Sequence, residues 1–86
     1  MNKIWITLLE HRHLQFQIDE TPILNDHISK VYQLTHSELP YGLRVNGAVY
    51  NHVKIKNDNS QCYVYDIKDN NEITTLGAVE LITQNL

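Results

Sequence analysis

The sequence predicts an α+β domain in which an N-terminal β-hairpin is followed by one amphipathic helix and then three to four further strands in a mixed sheet. Three observations predict it. Two apolar runs of period two flank a short polar segment near the start of the chain. An acid-rich segment then opens on a proline and carries apolar residues at helical spacing. From Tyr41 onward the period returns to two and is punctuated by turn residues.

In the first run, Lys3 to Leu9, Ile4, Ile6 and Leu8 share one strand face and Trp5, Thr7 and Leu9 the other. Glu10 to His13 has the length of a hairpin loop. The second run places Leu14, Phe16 and Ile18 inward and Gln15 and Gln17 outward.

The helix is expected to start at Asp19-Glu20-Thr21-Pro22, where Thr21 can cap and Pro22 suits the first helical position. Asp19, Glu20 and Asp26 would lie near the positive end of the helix dipole, and Lys30 and His36 near the other. Ile23 or Leu24, Ile28, Val31 and Leu34 form the stripe that would face the sheet, with Ile28 as its central contact. Pro40 and Gly42 would enforce the exit after Ser37.

Leu43 to Val45 reads as a short strand and Asn46-Gly47 as a tight hairpin turn, because both of its central positions need φ > 0. Ala48 to Lys56 reads as one strand, with Val49, Val53 and Ile55 on one side and Tyr50, His52 and Lys54 on the other. Turns follow at Asn57 to Ser60 and Lys68 to Asn71, separating strands at Gln61 to Ile67 and from Glu72. The domain is expected to span residues 1–76, with 77–86 as a strand extension or tail.

Composition narrows the class. Eighty-six residues make one domain, and a chain this size buries only somewhat more than about 60% of its unfolded surface, so most apolar residues must join the core. With 42% hydrophobic and 20% charged residues it reads as an ordinary globular domain without a membrane span. A net charge of −3 with seven scattered Lys and Arg excludes the basic stripe that nucleic acid requires. The single Cys62 cannot form an internal disulfide and no export signal is read at the N-terminus, so the cytoplasm is the expected compartment.

The residues resemble a ubiquitin-like β-grasp protein at two places. Leu43-Arg44-Val45-Asn46-Gly47 resembles the strand and turn that follow the helix in ubiquitin. Tyr65-Asp66-Ile67, running through Lys68 to Ile73, resembles the tyrosine-containing turn before its last strand. Within bacteria the pattern is most similar to the YukD/EsaB family of the type VII secretion system, whose helix also opens with Pro and a branched apolar residue, here Pro22-Ile23. The resemblance covers roughly Lys3 to Leu76 and is one of apolar spacing and turns. It implies an accessory or regulatory secretion subunit whose partners are the membrane ATPase, other machinery components or small helical substrates. It implies no catalysis, cofactor or metal. The chain ends in Leu81 to Leu86 where modifiers and sulfur carriers of that fold carry Gly-Gly, so conjugation is not expected.

Candidate chemistry is sparse. His11 and His13 would share a strand face beside Glu10 and could bind a metal with a third ligand, although an exposed polar loop is the simpler reading. Cys62 and His52 could be drawn as nucleophile and base, but no orienting acid or Gly-rich elbow accompanies them. Asp66 and Asp69 read as turn formers.

Protein binding is the stronger expectation. Trp5 lies opposite the apolar hairpin face, and Tyr50, His52 and Lys54 share an outward face, as interface anchors commonly do. Trp5 could equally pack under the C-terminal residues Leu81 and Ile82. The rival to a secretion subunit is a phage or mobile-element inhibitor that binds and blocks a host defence protein. The sequence leaves the oligomeric state open.

Overall fold

The computed structural model describes residues 3–37 and 43–84. Among these residues every regular element is a strand. The first four are β1 (Lys3–Leu8), β2 (His11–Asp19), β3 (Leu24–Asn25) and β4 (Ser29–Ser37). The β5 (Leu43–Val45) and β6 (Ala48–Tyr50) pair forms a separate small hairpin. The chain ends with β7 (His52–Lys56), β8 (Cys62–Asp66), β9 (Asn71–Gly77) and β10 (Val79–Gln84).

The main sheet has the order β10-β1-β2-β4-β7-β8-β9, with β3 also on β4, and each pairing is antiparallel. It is a meander whose last strand returns to the first. β9 and β10 stand at opposite ends of that order, yet only Ala78 separates them in sequence. One intervening residue spans a few ångströms, so the two edges must meet there. The sheet therefore curls into a split barrel, joined at Gly77-Ala78 and open elsewhere between β9 and β10. Gly77 makes the bend at φ 108°, a region that L side chains rarely adopt.

The interior follows the alternation of the first hairpin. Ile4 and Ile6 on β1 face Ile18 and Phe16 on β2, and all four are buried in the core. Leu8, Tyr32, Val53, Ile55, Cys62, Val64 and Val79 complete the inner face, with Leu43 reaching in from the small hairpin.

The expected helix and the mixed sheet are both corrected. The stretch from Pro22 to Leu34 forms the β3–β4 hairpin instead. Asp26 makes the turn: its N–H donates to the Ser29 carbonyl at 2.9 Å, and its carboxylate accepts from the His27 N–H at 2.6 Å. A local side-chain bond of this kind offers the backbone an alternative to helix. The loop is then His27-Ile28, and β4 leaves it with β-branched Val31 and Thr35 and aromatic Tyr32, residues that favour a pleated surface.

The supposed helical stripe is not buried as one face. Ile23, Leu24 and Ile28 are exposed at 46%, 43% and 59%, whereas Val31 is buried. With the helix goes the β-grasp fold that the resemblance implied. Pro40 and Gly42 lie outside the described residues.

The later turns are met, but the Glu10 to His13 loop is corrected to a turn at Leu9-Glu10, since β2 already begins at His11. Asn46 and Gly47 take φ 51° and 85°, Asn59 takes 59° and Asn70 takes 51°. Asp58 and Asp66 each accept a backbone N–H two residues on, from Ser60 and Lys68. Ala48 to Lys56 is not one strand, however. It breaks at Asn51, whose carbonyl accepts the Leu34 N–H at 2.8 Å.

Candidate functional site

The break at Asn51 separates residues that one strand would have kept together. Tyr50 pairs with Leu43 in the small hairpin and packs against the core, whereas His52 and Lys54 lie on the main sheet. Since Val53 and Ile55 point inward, His52 and Lys54 point outward, and their cross-strand partners share that face. One row runs Leu24, Val31, Lys54, Tyr63, Thr75 across β3, β4, β7, β8 and β9. The next runs Gln33, His52, Tyr65, Glu72.

Val31 and Tyr65 are nearly inaccessible although they belong to the outer face and not to the interior cluster. Tyr65 is covered by longer neighbours. The Lys54 ammonium lies 5.9 Å from the Tyr65 ring centroid and donates to Glu72 at 2.9 Å. The Tyr65 hydroxyl donates to the Asn70 side chain at 3.2 Å. Exposed Leu24 ends the first row, and exposed Ile28 lies in the β3–β4 loop beside it, where its carbonyl accepts the Asn57 N–H just beyond β7.

Two titrations bear on this face. The hydrogen bond to Glu72 raises the Lys54 pKa above its ordinary value, and surface pairs of this kind are worth about 0–1 kcal/mol. Burial lowers the His52 pKa below its ordinary 6.5. The sign follows from proton binding. As pH falls below 6.5 the unfolded chain takes up the His52 proton before the folded chain does, so folding stability declines until the folded imidazole also titrates. His52→Gln should flatten the stability-versus-pH curve below 6.5, measured by urea unfolding across that range.

The other candidates are dispersed. Trp5 stands on the outer face of β1 between Gln17 and Ile82, with β2 and β4 between it and β7, and is half-buried there. Cys62 pairs with Ile55 on the inner face, while His52 pairs with Tyr65 on the outer one. The drawn nucleophile and base therefore lie on opposite sides of the sheet. Burial also pushes the Cys62 thiol up to about 12, far from the thiolate that a nucleophile needs.

His11 begins β2 and is exposed, and the side chain of His13 lies outside the described part of the structure. Among the described residues no three His, Cys, Asp or Glu side chains converge as a metal group would require.

A cleft of about 250 Å³ opens between the small hairpin and the curved sheet. Leu8, Leu14, Phe16, Leu43, Val45 and Leu76 wall it, and the exposed Gln15, Arg44 and Thr74 stand at its mouth. Carbon walls of this kind suit the packing of an apolar group.

Sequence reasoning missed Leu24, Val31, Tyr63, Tyr65 and Glu72 as members of the outer patch. The alternation of Tyr63 and Tyr65 was a usable signal. Leu24 and Val31 were hidden because a helical stripe claimed them.

No helix among the described residues is long and apolar enough to cross a membrane. In comparisons with known proteins, the chain matches no family model, no curated protein and no solved structure.

Proposed function

We propose that the chain is a non-catalytic protein-interaction domain and that it binds its partner through the outer face of β3, β4, β7 and β8. The observation that carries this reading is the run of Ile23, Leu24 and Ile28, three large aliphatic side chains exposed within six residues. Leu24 stands in one cross-strand row with Val31, Lys54 and Tyr63, beside His52 and Tyr65, and Ile23 and Ile28 flank it in sequence at the β3–β4 hairpin. Apolar centres rimmed by polar and aromatic groups are the usual make-up of protein interfaces.

The expected secretion role leaned on a helix that the chain replaces with a hairpin, so it draws no support from the fold. A blocker of a host protein needs no particular fold and fits the same surface. A cytoplasmic setting goes with either, since the chain's one cysteine has no partner for an internal disulfide.

The test compares two variants against a partner captured with the native chain and identified by mass spectrometry. Leu24→Asp with Ile28→Asp should weaken binding by about 10-fold or more, as loss of apolar anchors at an interface does. Glu10→Ala, on the turn between β1 and β2, should not. Equal binding by both variants would remove the outer face from consideration.

A further inference from the structure

The split in the barrel leaves two strands with one sheet neighbour each, β9 beside β8 and β10 beside β1. An edge strand presents unpaired N–H and C=O groups, and folded proteins blunt such edges with proline, lysine or bulges. β9 is blunted. Its register with β8 shifts twice, between Cys62 and Tyr63 and between Val64 and Tyr65.

Beyond Val79, β10 has no such protection. Its pairing with β1 runs without a shift from Leu8–Val79 to Lys3–Gln84, and its sequence Val-Glu-Leu-Ile-Thr-Gln holds no proline or lysine. The one charge, Glu80, is engaged by Arg12 at 3.3 Å.

The direction of the backbone groups is fixed by two bonds. The Leu9 N–H donates to the Ala78 carbonyl at 3.0 Å, on the β1 side. The Val79 N–H donates to the Asn59 carbonyl at 3.2 Å, on the other side. Along an extended strand these directions alternate, so Leu81 and Thr83 turn their N–H and C=O groups to the open side.

We propose that this edge pairs with the same edge of a second copy of the chain, antiparallel about a two-fold axis at Ile82. In that register Leu81 and Thr83 of each copy exchange backbone hydrogen bonds with Thr83 and Leu81 of the other. Glu80 meets Gln84 and not another Glu80, so no like charges oppose. Ile82, 46% exposed, meets Ile82, and the Trp5 beside each of them joins one apolar strip on the outer face. Self-complementarity of this kind is what an isologous interface needs. The dimer is independent of the partner-binding reading, because its residues on β10 and β1 are not among those of the outer patch on β3, β4, β7 and β8.

Sedimentation of the full chain over a rising concentration series should show a monomer–dimer equilibrium. Ile82→Lys should weaken it by about 10-fold or more while the circular dichroism spectrum stays native. Ile82→Cys adds a finer readout. Residues opposed at a non-hydrogen-bonded pair lie about 4.5 Å apart at Cα, within reach of a disulfide, so mild oxidation should give a covalent dimer. Glu80→Cys, opposite Gln84, should not, and the fully buried native Cys62 does not compete. A monomer at every concentration would overturn the proposal. So would a dimer that Ile82→Lys leaves intact, or equal cross-linking through both cysteine variants.

Discussion

Ile6→Ala should lower the unfolding free energy by about 2–5 kcal/mol, whereas Ile28→Ala should change it by no more than about 0.5 kcal/mol. Ile6 is inaccessible and sits in the middle of β1, opposite Phe16 on one side and Leu81 on the other, so truncation leaves a cavity that three strands must close around. Since small domains are stable by only about 5–15 kcal/mol, the loss is a large share of the total. Ile28 occupies a loop position at 59% exposure and gives up little apolar burial when truncated. The contrast separates hairpin from helix, because Ile28 at the centre of a buried helical stripe would carry the larger cost. Urea unfolding with an unchanged slope is the measurement; reversed magnitudes would contradict the strand assignment.

Replacing Gly77 should be the costliest change at any turn. Its φ of 108° lies where a side-chain-bearing L residue is strained, and Gly77→Val should cost about 1–3 kcal/mol. A Cβ built at Gly77 meets nothing within 4 Å, so the cost is one of backbone conformation and not of crowding. The two sources can be told apart by chemical synthesis. D-Ala at this position favours positive φ and should retain near-native stability, while L-Ala should lose part of it. Equal losses from both would assign the effect to packing. The bend also delivers β10 onto β1, so the L-substituted chain should lose amide protection along β10 first.

Much of this fold was legible wherever alternation and turn chemistry agreed. Leu14, Phe16 and Ile18 point inward as their period-two pattern requires, and Asn46-Gly47 adopts the positive φ pair that its hairpin needs. The second element was misread because its apolar residues satisfy two templates at once. Ile28, Val31 and Leu34 recur every third residue, which fits a helix face, yet Val31 and Tyr32 are both buried because β4 is covered on both sides. A strand buried on both faces loses its alternation, and its composition then carries the remaining signal. The Thr21-Pro22 start was equally ambiguous, since proline suits a strand edge or turn as well as a first helical turn.

The candidate site was legible in part. His52 and Lys54 face outward together as read, but the strand break at Asn51 removes Tyr50 from their company. Nothing local announces that break. It is set by the Leu34 N–H bonding across to the Asn51 carbonyl, a contact between residues 17 apart in sequence. Nor could periodicity place Cys62 and His52 on opposite faces, because that depends on which residues pair across β7 and β8.

Backbone NMR across Ser29–Ser37 separates an all-strand sheet from a helix packed on a sheet. Extended-strand carbon shifts are expected throughout this segment, with cross-strand proximities that link Tyr32 to Val53 and Val31 to Lys54. Helical shifts over Pro22 to Leu34, with sequential amide contacts and contacts three residues apart, would contradict the all-strand sheet.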